Sequence, residues 1–237
     1  MPRDQVAFIT GGASGIGRAV ATALAREGAR VAIGDLNPAV EKAARDIGAA
    51  MGIRVDVTDP GEVETAIDDV AKKLGGLHVL GNIAGIYRKA AVAEMTPKQW
   101  DETLDANLRS VFLCTHFALR HMLRQRYGRI IGIASGIGVR GAARSSAYAA
   151  SKAALMVFTK SVAAEVFDQG VTINCIAPGI TDTPLMRNAN APEEIQAAVR
   201  SMGRPLGQPE DVVAPFLYLI SDAAKNVSGV TMWLRNP

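Results

Sequence analysis

Thr10-Gly11-Gly12-Ala13-Ser14-Gly15-Ile16-Gly17 joins a short apolar run, Val6–Thr10, to an amphipathic stretch whose apolar face carries Ile16, Val20, Ala23 and Leu24. An apolar run giving way to a 3.6-residue period is a strand turning into a helix. Glycine permits the tight turn, and the first amides of the helix face any approaching anion. The spacing of Gly11, Gly15 and Gly17 is G-x-x-x-G-x-G, so it is not the G-x-G-x-x-G fingerprint. It is not a Walker loop either, which needs Lys followed by Ser or Thr. The turn suits a pyrophosphate held by Gly11, Ser14, Gly15, Ile16 and Gly17. It also suits plain close packing of helix on strand.

Outward from this turn the same alternation repeats. Apolar runs at Val6–Thr10, Arg30–Asp35, 52–55, Val79–Asn82, 129–134, 171–176 and 229–234 are rich in Val and Ile without strict alternation, as in strands buried on both faces. Helical stretches lie between them at 38–47, Pro60–Leu74, 107–124 and 145–167, the first two with proline near the start. Leu155, Phe158, Val162 and Val166 form a stripe on the last. Strand and helix in regular alternation imply right-handed crossovers. The expectation is α/β: one domain over residues 1–237, a Rossmann-type doubly wound parallel sheet of about seven strands with helices on both faces. Residues 178–208, with four prolines, read as a substrate loop containing a short helix.

Asp35 ends the second strand, 18 residues past Gly17, with Leu36 beside it. A carboxylate there accepts hydrogen bonds from the adenosine ribose hydroxyls and repels a 2′-phosphate. No basic residue in the turn offsets it, which favours NAD over NADP. The alternative is that Asp35 caps the turn that follows.

Tyr148-Ala149-Ala150-Ser151-Lys152 carries the chemistry. Residues i and i+4 share a helix face. A free phenol, with a pKa of about 10, is a poor base at neutral pH. A lysine cation at about 5 Å contributes about 3 kcal/mol at an effective dielectric of 20, roughly two pKa units, and Lys152 is expected to lower the Tyr148 pKa by that much. Ser135, thirteen residues before the tyrosine, ends the fifth strand at the sheet edge where ligands bind. Taken singly, such a tyrosine packs, such a lysine snorkels and such a serine caps a turn.

The chain has 237 residues, 49% of them hydrophobic, enough for one sizeable core. Its net charge of +3 is scattered, which speaks against a nucleic-acid partner; the densest basic stretch, 120–129, reads as the polar face and end of a helix. Two cysteines and three histidines lack zinc-site spacing, so no metal is expected. The N-terminus lacks a secretory pattern, and no apolar run approaches the ~18 residues of a membrane span. A cytoplasmic enzyme without membrane association is the expectation.

These motifs together resemble the short-chain dehydrogenases/reductases over nearly the whole chain. The family's T-G-x-x-x-G-x-G matches Thr10 to Gly17. Asp56-Val57 resembles the pair beside the adenine. Asn82-Ile83-Ala84-Gly85 resembles Asn-Asn-Ala-Gly with the second asparagine replaced, and Asn82, Ala84 and Gly85 are carried over to the cofactor. Asn107, Ser135, Tyr148 and Lys152 match the catalytic residues. The resemblance implies that Asn107 holds a water in a proton relay with Lys152, which also grips the nicotinamide ribose. Asn174-Cys175-Ile176-Ala177-Pro178-Gly179 resembles the turn after the sixth strand, with Pro178, Gly179, Ile180 and Thr183 at the nicotinamide. Two departures stand out: Gly132-Ile133-Ala134-Ser135 replaces the usual Asn-Ile-Ser-Ser, and the tail 230–237 lacks Val-Asp-Gly-Gly.

The expected activity is hydride transfer between NAD(H) and a secondary alcohol or ketone. A 3-oxoacyl carrier-protein reductase is one alternative and a catalytically inactive dinucleotide sensor another. Tyr87, Arg88, Val139, Arg140, Arg144, Met186 and Arg187 are expected near the substrate; their arginines suit an anionic substrate or are simply solvated. The helices 107–124 and 145–167 carry more apolar surface than one sheet face covers, and the resemblance implies a homodimer or homotetramer built on them.

Overall fold

The computed structural model describes residues 4–234. The altered tail therefore lies partly outside the described residues. Seven strands form one sheet in the order β3-β2-β1-β4-β5-β6-β7. They are β1 Val6–Thr10, β2 Arg30–Asp35, β3 Met51–Arg54, β4 Val79–Asn82, β5 Gly128–Ile133, β6 Val171–Ala177 and β7 Thr231–Trp233. Every adjacent pair is parallel. Helices α1 Gly15–Arg26, α2 Val40–Ile47 and α10 Val213–Ile220 cover one face; α3 Pro60–Leu74, α5 Ser110–Arg124 and α7 Ser146–Val166 cover the other.

Strand sequence explains this double burial. Phe8 packs into the core under α3, α5 and α7, and its neighbour Ile9 into the core under α1, α2 and α10; Ile130 and Ile131 divide in the same way. Side chains alternate faces along a strand, so a strand covered on both sides must be apolar at consecutive positions. Chain direction across the sheet reverses between β1 and β4, and this switch point opens a crevice at the strands' carboxyl ends.

Several boundaries differ from the sequence reading. β3 and β5 each begin and end one residue early, β6 extends to Ala177, and β7 is shorter than 229–234. Pro38 stays outside α2, because the Asn37 side chain accepts from Ala39 N–H (2.9 Å) and holds a turn there. Arg129 is not on a helix end: it sits in β5, 4% exposed, its guanidinium 4.3 Å from the Tyr127 ring. Residues 178–208 hold two helices, α8 Pro184–Ala189 and α9 Pro192–Met202, rather than one. The helix placed at 107–124 begins ten residues earlier, as α4 Pro97–Leu104, where Thr96 and Gln99 form a reciprocal capping box. Between α4 and α5 lies a π-helical segment, Asp105–Arg109.

Candidate active site

The crevice is a cavity of about 910 Å³. Gly11 and Gly15, at φ 66° and 51°, take left-handed conformations that favour glycine. A Cβ on Gly17 would lie 2.1 Å from the Gly11 carbonyl oxygen. Close packing and an open cradle thus coexist: the glycines let α1 press onto β1, and Gly11, Ser14, Gly15, Ile16 and Gly17 still line the cavity.

Asp35 also does two things. Its carboxylate accepts from Ala13 N–H (3.0 Å) and Asn37 N–H (3.0 Å), bracing the glycine turn and capping the next one, and it lines the cavity with Leu36. Each oxygen keeps a further lone pair for a ligand hydroxyl. Asp56 and Val57 line the same end; the Asp56 carboxylate accepts from the Thr58 amide (2.9 Å) and hydroxyl (2.7 Å).

Thr10 does more than its place in the glycine motif indicates. Its hydroxyl donates to Gly81 O (3.2 Å) and accepts from Ile83 N–H (3.0 Å) and Ala84 N–H (3.2 Å). It fixes the loop after β4 although the family's second asparagine is Ile83 here. Ala84 and Gly85 line the cavity. Asn82 does not: it is buried, donates to the Thr115 hydroxyl (3.2 Å), and supports the wall from behind.

The π-helical segment presents Asn107, which is fully buried and lines the cavity. Its amide oxygen accepts from Ile86 N–H (2.7 Å), and its nitrogen donates to Ile86 O (2.9 Å) and Ser151 Oγ (3.2 Å). Gly85 is required beside it, since a Cβ there would come within 2.7 Å of the Asn107 oxygen.

Ser135 follows β5, while Tyr148 and Lys152 sit one turn apart on α7; all three line the cavity, and the Ser135 hydroxyl accepts from Ile137 N–H (3.3 Å). Lys152 Nζ donates to Ile133 O (2.7 Å) and stands 5.6 Å from the Tyr148 ring centre. Burial pushes the Tyr148 phenol up to about 12, opposed by Ser135 and assisted by Tyr87. Burial also pushes the Lys152 ammonium down to about 8. The expected lowering of Tyr148 by Lys152 is therefore corrected. The sequence argument counted the attraction between the two charges but not their removal from water, and Lys152 spends its hydrogen bond on a backbone carbonyl.

Tyr87 packs its ring 4.4 Å from that of Tyr148, and its hydroxyl lies 2.9 Å from Ser145 Oγ. At the β6 end, Pro178, Gly179, Ile180 and Thr183 line the cavity, and the Thr183 hydroxyl caps α8 by accepting from Met186 N–H (3.2 Å). Tyr87, Arg88, Arg140 and Met186 line it as expected, whereas Val139, Arg144 and Arg187 do not; Arg187 pairs with Asp182. Met202, Arg204 and Trp233 line it without having been singled out. Met202 and Arg204 fall within 178–208, the segment read as the substrate loop, whereas Trp233 on β7 is brought in by the fold alone.

The short chain dehydrogenase family model matches residues 5–194. This chain belongs to the short-chain dehydrogenase family. Among its relatives in the family, cis-4-hydroxycyclohexanecarboxylate dehydrogenase of Sinomonas cyclohexanicum is 39% identical, the match covering 97% of this chain and 94% of that one. A 3-oxoacyl acyl-carrier-protein reductase of Salmonella typhimurium is 34% identical over 96% of this chain and 94% of its own. A solved structure of a putative NAD(P)-dependent gluconate 5-dehydrogenase from Beutenbergia cavernae, with NADP bound at low occupancy, superposes with a TM-score of 0.90 at 33% identity, covering 98% of this chain and 95% of that one. The chain is thus a short-chain dehydrogenase with a nicotinamide-dinucleotide fold. No described helix is long and apolar enough to cross a membrane.

Proposed function

We propose that this short-chain dehydrogenase transfers hydride between NAD(H) and a secondary alcohol or ketone carried on a ring. The observation that carries the reading is one cavity wall bearing Ser135, Tyr148 and Lys152, continuous with the glycine turn and Asp35. The turn fits a dinucleotide: Gly11, Ser14, Gly15, Ile16 and Gly17 line the cavity at the start of α1, whose first amides offer donors to a pyrophosphate. When bound, the oxidised dinucleotide supplies a positively charged ring that takes up a hydride from the alcohol carbon. Asp35 receives the adenosine ribose hydroxyls, and Lys152 the nicotinamide ribose. Ser135 donates to the substrate oxygen and stabilises charge developing there. Tyr148 accepts the hydroxyl proton in oxidation and returns it in reduction. Acceptance in oxidation requires the phenolate, whereas the phenol that burial favours is the form that donates in ketone reduction. Asn107 orients the loop around Ile86 and the water of the relay.

A ring-borne alcohol is favoured by the hydroxycyclohexane relative. The carrier-protein reductase relative supports a second reading, 3-oxoacyl reduction, but the Asp35 carboxylate is poorly suited to NADPH. A sensor without catalysis has no need of Ser135, Tyr148 and Lys152 together. The buried free thiols of Cys114 and Cys175 suit a cytoplasmic setting. Exposed Phe112 and Val157 on α5 and α7 suit self-association to a dimer or tetramer.

Absorbance at 340 nm with NAD and a panel of cyclic and acyclic secondary alcohols tests the reading. Tyr148→Phe should cut turnover at least about a hundredfold while the protein still folds and binds NAD. Most of the activity surviving in that variant would exclude this chemistry.

A further inference from the structure

Charged groups lining the cavity are sorted along the sheet. Asp35 ends β2, Asp56 follows β3, and Glu102 and Asp105 follow β4. Among the lining residues contributed by β5, β6, β7 and the segments that follow them there is no acid, but there are Arg140 and Arg204 as well as Lys152. Arg140 closes the short helix α6, Ile137–Arg140, directly after Ser135. Arg204 follows α9 on the segment after β6, the strand beside β5.

Most of the other charges have work assigned. Arg88 pairs with Glu102, Lys152 donates to Ile133 O, and Asp35 and Asp56 accept backbone amides. Asp105 stands on the far side, on the π-helical segment. Arg140 and Arg204 make no ion pair or side-chain hydrogen bond among the described residues. The dinucleotide phosphates do not account for them, because the glycine turn lies at β1, across the switch point. Beyond the catalytic wall, the same half of the cavity is lined by apolar Ile137, Met186, Met202 and Trp233, with Thr181, Thr183 and Asn188 as its uncharged polar residues.

We infer that Arg140 and Arg204 read a carboxylate on the substrate, so that the alcohol this enzyme oxidises is a hydroxy acid with an apolar ring or chain between hydroxyl and carboxylate. This rests on the proposed function for the hydroxyl end alone. Guanidinium groups bind planar oxyanions with two parallel hydrogen bonds. An apolar lining favours a hydrocarbon spacer. No acid lining that half of the cavity competes with the ligand for either arginine, and both guanidinium-bearing residues are exposed. A phosphate monoester offers similar oxygens and is the competing source.

Calorimetric titration with cyclohexanecarboxylate, cyclohexanecarboxamide and cyclohexyl phosphate reads the site without turnover. Carboxylate should bind on the order of tenfold tighter than the isosteric amide, and tighter than the phosphate. R140Q and R204Q should each lower the carboxylate-to-amide ratio, and raised salt should lower it in the parent protein. Equal affinity for acid and amide, a ratio unmoved in both variants, or tighter phosphate binding would overturn the inference. Turnover of 4-hydroxycyclohexanecarboxylate and its amide separates the two readings. Acid preference in binding with neither alcohol oxidised removes the proposed function and leaves the anion site standing. Oxidation of both with equal kcat/KM removes the anion site and leaves the function.

Discussion

Replacing Lys152 with methionine should make the protein more stable at pH 7 even as it abolishes most turnover. Burial holds the lysine at about 8 instead of 10.5. At 1.36 kcal/mol per pKa unit, keeping the ammonium charged in the folded chain at pH 7 costs roughly 3 kcal/mol. Methionine has a similar length and no charge to desolvate. It forfeits the 2.7 Å bond to Ile133 O, which offsets about 1 kcal/mol. A net gain of about 2 kcal/mol remains. Its pH dependence is distinctive. Below pH 8 the lysine is protonated in both the folded and the unfolded chain, and the full cost is present. Between pH 8 and 10.5 the unfolded chain binds the extra proton, so the stability of the parent protein rises with pH and the gap to Lys152→Met closes. Urea unfolding of both proteins at pH 7, 8, 9 and 10, extrapolated to water, measures the gap. A methionine variant less stable than its parent at pH 7, or a gap constant across the series, would refute the reasoning.

Three further outcomes follow from other parts of the site. Asp35→Asn should narrow a preference for NAD over NADP that in the parent is at least about tenfold, because it removes the charge that repels the 2′-phosphate; equal dissociation constants for the two cofactors in the parent would contradict this. Gly85→Ala pushes a methyl to within 2.7 Å of the Asn107 oxygen; displacing that amide from Ile86 should lower stability by about 1–3 kcal/mol and reduce kcat, so an unchanged melting temperature and turnover would show the asparagine is not held there. Light scattering at micromolar concentration should give a multiple of 25.0 kDa, and Phe112→Glu should shift it downward; a 25.0 kDa species for the parent protein would remove the case for self-association.

Much of the fold was legible because parallel strands buried on both faces leave an unmistakable run of Val and Ile, as in Val6–Thr10 and 171–176. The glycine turn and the Tyr148–Lys152 pair were legible because both are local in sequence. What lay beyond reach was mostly tertiary. Arg129 looks like one more cation in a basic stretch, and only the start of β5 tells that it is buried. Thr10 stands in the motif, but its three bonds to Gly81, Ile83 and Ala84 span a strand more than seventy residues away. The pKa of Tyr148 was misjudged because a sequence supplies a neighbouring charge and no measure of burial. The capping box at Thr96 and Gln99 was present as a pattern and went unread, which cost ten residues of helix.

The π-helical segment at Asp105–Arg109 makes the long helical run a splice of two phases. Ser110 N–H reaches back five residues to the Asp105 carbonyl, and the Ser110 hydroxyl takes over Ala106 O (2.7 Å), the acceptor its own amide would use in a regular helix. One surplus residue is thus accommodated, and everything downstream on α5 is rotated by about 100° relative to an unbroken helix. The run is consequently a vernier: trimming a single residue from this segment lets it relax into uniform α-helix, turning Asn107 away from Ile86 and re-aiming Phe112 and the rest of the outer face together. Site geometry and assembly surface share that one offset, so neither can be reset by a deletion here without the other.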